Sequence, residues 1–463
     1  MKLLNTIIFF TIVIIIIIYI NKYFFNIYGV VQKKTKDILT DYNKFFHIYI
    51  PILFLIASTA RYFYHSSGLF ELYIDRAVEG LQNHTKFFND QNLFAGGLSI
   101  IAIYIFSLLA VASEAGVADE GMIIYTSISI LLFVYFKYKS IFNLKDIYTE
   151  IIVYLGIAVG FTIIYSSIIS TFVYVIETMI INNDQNFLSN FGVMVCAIPF
   201  IDYLVGEKEN FMKLEKLNFD IKQYGYITLF SLILGILAFL FFKSILSLYK
   251  FIKKSNYSNL IILSFGLLIS FIIKKLGFLT FGIGEDAITN AFKSIKEKEK
   301  LEKEKQDLQA KEQQMKSKQG NKQNSQQNPQ QTPKQALDKE LNNDNKNIKK
   351  ITVFNEYNVL GRIVNCIISV GCGLTGGILV PAMTIGCGLG SIFSKYTSIP
   401  EKNLMYLGIS GFLSPFLHAP VTSALVINRI SDQPYNTLPI SIAVSFISYF
   451  TYNFMNKKFN SSS

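Results

Sequence analysis

The chain has 463 residues, 51% of them hydrophobic, a mean hydropathy of +0.37 and a formal net charge of +11. That balance excludes an ordinary soluble domain, and with it a soluble enzyme, and predicts an all-α polytopic membrane protein. The charge is local: residues 293–350 carry 15 lysines against 9 acidic residues, which points to a cytosolic segment near anionic lipid headgroups and away from nucleic acid.

Apolar runs recur at 3–20, 50–63, 97–113, 122–136, 151–176, 225–247, 259–273, 365–393, 403–428 and 437–453. Most approach the ~20 residues that cross a hydrocarbon core of ~30 Å. The first, with isoleucine from Ile14 to Ile18, stays apolar to Val31 and has no small-residue cleavage site, so it is read as a retained membrane helix. A second segment runs into His65-Ser66-Ser67-Gly68-Leu69-Phe70-Glu71. There Ser67 suits a helix N-cap whose hydroxyl and following amides face negative charge. The run 97–113 ends at Glu114, and Gly116-Val-Ala118-Asp119-Glu120-Gly121-Met122 opens the next helix. An acid at the start of a membrane helix is costly unless it faces water, protein or an ion path. The plain alternative is a carboxylate favoured by the helix dipole.

Residues 151–179 pass through Gly156 and Gly160 to Glu177 and Thr178, and segments at 186–204, 225–247 and 259–273 lead to Phe281-Gly-Ile-Gly284-Glu285-Asp286-Ala-Ile288. Composition then breaks. Residues 293–318 alternate Lys and Glu, and 319–333 are mostly Gln, Asn, Ser and Pro, which reads as a solvated helix followed by a disordered linker. Beyond it, Gly371-Cys-Gly-Leu-Thr-Gly-Gly-Ile-Leu-Val-Pro381 feeds an apolar helix. Its proline sits near the start, where a missing N–H costs nothing. The N–H groups around Ile378 and Leu379 are then free to face an anion, and Gly386 and Gly390, one turn apart, admit a second helix backbone. A helix pair follows from Tyr406 to Ile430, and Leu438-Pro439 opens the last helix. Leu155-Gly156-Ile157 recurs as Leu407-Gly408-Ile409, and Glu177 falls on Arg429, both at an offset of 252. Duplicated halves of this kind place helix ends around one midplane site. The four cysteines and four histidines show no ligand spacing, so no metal or other cofactor is implied.

Taken in order, these stretches resemble the CLC family of chloride channels and chloride/proton exchangers. Gly376 to Pro381 is similar to the family's Gly-x-Phe-x-Pro, with Leu379 in place of Phe. Ser66 to Glu71 is similar to Gly-Ser-Gly-Ile-Pro-Glu, with Ser66 and Phe70 substituted. Ala118 to Met122 is similar to Gly-Lys/Arg-Glu-Gly-Pro, with Ala118, Asp119 and Met122 as departures. The Gly156–Glu177 stretch, Phe281 to Ile288 and His418-Ala-Pro-Val-Thr422 match further family segments in order.

The resemblance implies a fold of two inverted, related halves with broken and re-entrant helices. Residues 1–292 would hold the first half and the start of the second, 293–350 a cytosolic linker, and 351–463 the remainder. It implies a homodimer with one chloride path per subunit. Ser67, Gly68, Gly121, Ile378 and Leu379 would bind the anion, and Glu120 would gate it. Glu177 matches the first of two family glutamates. Thr178 stands where exchangers carry a second, proton-passing glutamate, and a threonine holds no titrating proton. This favours a channel; an antiporter and a non-conducting structural subunit are the alternatives. The family's site-closing tyrosine is absent, Phe459 being the nearest aromatic, and the family's regulatory domains do not follow. Lys33, Lys34 and Lys36 would lie outside on this topology, against the positive-inside trend. The resemblance implies a multi-pass membrane protein without specifying the membrane.

Overall fold

In a bilayer each backbone N–H and C=O needs a partner within its own segment, and the apolar runs accordingly fold as helices. The computed structural model describes residues 2–41, 46–59, 93–118, 120–145, 147–206, 214, 216–276, 282, 284–319 and 354–460. Fifteen α-helices are described. They are α1 (Lys2–Asp41), α2 (Phe46–Ser58), α3 (Leu93–Ala112), α4 (Glu120–Tyr138), α5 (Thr149–Tyr165), α6 (Ile168–Ile181), α7 (Phe187–Val205) and α8 (Tyr224–Lys254). They continue with α9 (Ser258–Leu276), α10 (Glu285–Gln319), α11 (Glu356–Gly371), α12 (Leu379–Ser394), α13 (Glu401–Leu417), α14 (Pro420–Ile430) and α15 (Leu438–Asn460). Six spans, drawn from α1, α4, α7, α8, α9 and α15, are long and apolar enough to cross a membrane. Shorter apolar helices such as α5, α6 and α12 cannot span it fully.

Small residues set the packing. Gly386 and Gly408 face each other so closely that a side chain on either would strike the other's carbonyl, and Gly390 meets the backbone of Leu404 in the same way. Hence α12 and α13 cross with backbones in contact, as the glycine spacing predicts. The first half repeats the device: a methyl at Gly156 would lie 2.6 Å from the Cα of Ile128, drawing α5 onto α4. Polar side chains add directional links. Asn21, fully buried on α1, donates to Ser127 Oγ on α4 at 3.1 Å and accepts from the Tyr104 hydroxyl of α3 at 2.8 Å. Ser410 and Ser445 bond hydroxyl to hydroxyl at 2.7 Å between α13 and α15.

The apolar run 151–176 divides into two helices. Ser166 takes a left-handed conformation (φ 43°) and ends α5, and Ser167 caps α6 by accepting from the Ser170 N–H. In the second half His418 (φ 53°) ends α13 at the matching position, 252 residues on, before Pro420 opens α14. The order α3–α7 is thus repeated by α11–α15, including this turn. The Lys/Glu stretch is helical as expected within α10, whose first turns bury Ile288, Ala291, Phe292 and Ile295 on one face. Past that face the helix is tied outward by Lys402–Glu299 (3.0 Å) and Lys298–Glu401 (3.9 Å). The linker beyond Gln319, expected to be disordered, lies outside the described residues up to Val353.

Candidate functional site

The amino termini of α4 and α12 meet through backbone alone. Ala118 N–H donates to the Gly377 carbonyl at 2.8 Å, and the Gly377 N–H donates back to the Ala118 carbonyl. This isolated antiparallel bridge joins the approach loops of the two halves. A Cβ at position 377 would stand 2.5 Å from the amide nitrogen of Gly121, so only glycine permits the approach. Pro381 falls in the first turn of α12, where its lost donor is not missed.

The structure brings together Gly121, Ile378 and Leu379 of the predicted anion site. Among the described residues their N–H groups have no acceptor, because each stands at or before the first helical turn. Each of these two bridged helix ends carries about half a positive charge. That arrangement replaces an anion's hydration with amide donors. Glu120 is the first residue of α4. Its side chain lies outside the described residues, as do Asp119, Ser67 and Gly68.

Glu177 lies elsewhere. Its carboxylate accepts from the N–H groups of Val421 (2.9 Å) and Thr422 (2.8 Å) and from the Thr422 hydroxyl (2.5 Å). It thereby caps α14 with charge-assisted bonds. Thr178, beside it, turns its hydroxyl back on the Tyr174 carbonyl at 2.7 Å.

Sequence reasoning missed the support under the α4 loop. Arg362, Asn365 and Ser369 line one stripe of α11, and all three are buried. Asn365 donates to the Glu114 carbonyl at 3.3 Å, Ser369 donates to Asn365 at 3.1 Å, and the Gly116 N–H donates to Ser369 Oγ at 2.9 Å. Glu114, fully buried and left-handed (φ 54°), interacts electrostatically with the Arg362 guanidinium. A polar stripe at helical spacing on an apolar segment was the available signal.

Known proteins place this geometry in context. The family model described as voltage gated chloride channel matches residues 76–453. The chain belongs to this family. Its members transport anions across membranes, and they are channels and transporters, not enzymes. No curated protein sequence matches the chain.

Solved structures with the same fold include a CLC-type fluoride/proton antiporter, at 13% identity and a TM-score of 0.63, covering 95% of this chain and 94% of that one. A slow cyanobacterial chloride/proton antiporter matches at 12% identity and a TM-score of 0.64, covering 98% and 94%. A eukaryotic CLC transporter matches at 12% identity and a TM-score of 0.60, covering 97% of this chain and 72% of that one. The CLC-type fold, with its two inverted halves, is therefore the fold of this chain.

Proposed function

We propose that this CLC member is a chloride channel, passive and gated by Glu120. The observation that carries the reading is the convergence of the unbonded Gly121, Ile378 and Leu379 amides at the bridged ends of α4 and α12. Amides without net charge bind an anion firmly enough to select it and loosely enough to release it. In this reading the Ser67 hydroxyl and the Gly68 amide also contact the anion, as the family resemblance implies. A Glu120 carboxylate competes with the ion for the amides and blocks the path until protonation or ion entry displaces it.

Two features favour passive flow over exchange. Thr178 carries no titrating proton, and both oxygens of Glu177 are engaged by α14. The antiporter reading keeps its own support, since two of the similar structures are proton-coupled antiporters. We further propose a homodimer, with the linker 293–350 cytosolic and close to anionic headgroups.

The test is chloride efflux from liposomes holding the purified protein, with external pH recorded in the same run and a Glu120→Gln preparation alongside. Chloride flux without proton movement, with its pH dependence abolished by Glu120→Gln, is the expected result. Proton uptake locked to chloride efflux would make the protein an exchanger. No flux above empty liposomes from folded protein would leave only a structural subunit.

A further inference from the structure

Several buried hydroxyls on these helices bond back to the carbonyl one turn earlier, as Thr162 does to Ala158, Ser231 to Ile227 and Ser431 to Ile427. Ser369 on α11 is used differently. Fully buried, it donates to Asn365 Oδ1 at 3.1 Å and accepts from the Gly116 N–H of the α4 approach loop at 2.9 Å. Its own carbonyl accepts from the Leu374 N–H at 3.1 Å, in the loop that leads to α12. Ser369 is thus bonded to the approach loops of both halves.

The grip on the α4 loop is regular. Three alternate residues are held through main-chain atoms: the Glu114 carbonyl by Asn365 Nδ2 at 3.3 Å, the Gly116 N–H by Ser369, and both polar groups of Ala118 by Gly377. At the middle anchor the loop lies so close to α11 that a Cβ on Gly116 would stand 2.8 Å from the Cys366 backbone nitrogen. Two residues past the last anchor comes Glu120, followed by Gly121. Side chains that served only to pack α11 would be better apolar, since a buried polar group is costly unless it is bonded. Asn365 and Ser369 are both fully buried, and their bonds go to the loop.

We propose that Ser369 is a positioning residue for the anion site. With Asn365 it fixes the spacing between the α4 and α12 loops, and that spacing sets which anions the amides prefer. The inference rests on the reading of the Gly121, Ile378 and Leu379 amides as that site. Donors held in place before an ion arrives favour the ion that fits them. Donors that must be ordered on its arrival bind more weakly and discriminate less.

The test compares wild type with Ser369→Ala, Asn365→Ala and the double variant, with Ser231→Ala as a buried-serine control on α8. Chloride and nitrate efflux from liposomes gives the selectivity, and calorimetric titration of the full-length protein in detergent with chloride gives the affinity. Ser369→Ala is expected to weaken chloride binding at least ~3-fold and to move the chloride-to-nitrate flux ratio at least ~3-fold toward one. Asn365→Ala should do the same, and the double variant no more than either, because the two side chains form one chain of bonds. It carries the same test if Ser369→Ala fails to fold. Ser231→Ala should match wild type, as should Ser369→Thr, which keeps the hydroxyl. Unchanged affinity and flux ratio in folded Ser369→Ala would overturn the proposal, as would an equal change in Ser231→Ala or a wild type that does not distinguish the two anions. Chloride binding without flux in wild type would overturn the channel reading alone, and weaker binding in Ser369→Ala would still support the positioning role. Failure of folded wild type to bind chloride would overturn both.

Discussion

At the scale of the residue, Glu177 separates two readings that the sequence left together. Its neighbour Thr178 drew attention to proton transfer, yet the Glu177 carboxylate holds three donors of α14. Replacing Glu177 by Ala should cost about 2–3 kcal/mol, because hydrogen bonds to a charged acceptor are lost at a buried helix end. Glu177→Gln should cost less and leave chloride flux within about twofold of wild type, since a neutral acceptor remains. Loss of a proton signal in Glu177→Gln, measured by the paired pH record, would return the residue to a proton path. Glu114 and Arg362 are both buried and feel each other's charge. Arg362→Met removes that buried guanidinium and should destabilise the protein. Adding Glu114→Gln should recover much of that loss, and a double-mutant cycle on unfolding in detergent measures the coupling.

At the scale of the element, much was legible. Glycines one turn apart predicted the α12 crossing because a missing Cβ has a direct geometric consequence, and the crossing is found at Gly386 and Gly390. Gly386→Leu should force α12 off α13 and cost at least ~3 kcal/mol, seen as loss of monodisperse protein on size-exclusion chromatography. Of the proposed anion site, the approach of Gly121 to Ile378 and Leu379 rests on the turn–helix pattern of the two loops. Their donors belong to the backbone, and the glycines that expose it are visible in sequence. The break between α5 and α6 was not legible, because Ser166 and Ser167 interrupt an apolar run without Gly or Pro. The α11 stripe was missed for another reason. Arg362, Asn365 and Ser369 acquire meaning only against the Glu114–Gly116 loop, which is remote in sequence and adjacent only in the fold.

At the scale of the whole molecule, the internal repeat organises everything, and the polar segment stands outside it. Lys402 and Glu299 tie α10 to α13 at 3.0 Å. Replacing residues 320–350 by a Gly/Ser segment of equal length should leave chloride flux in liposomes unchanged within about twofold, because such sequences behave as flexible connectors. A larger loss would assign the linker a role in conduction.

The reciprocal bond between Ala118 and Gly377 bears on how such a protein can change over evolutionary time. Two loops from two halves are registered by main-chain atoms, and the donors they expose are main-chain atoms as well. Mutation rewrites side chains but leaves peptide groups in place. Where the family pattern has a Phe, a basic residue and a proline, this chain carries Leu379, Asp119 and Met122, and exchanges of that kind leave the peptide groups in place, provided that position 377 stays glycine.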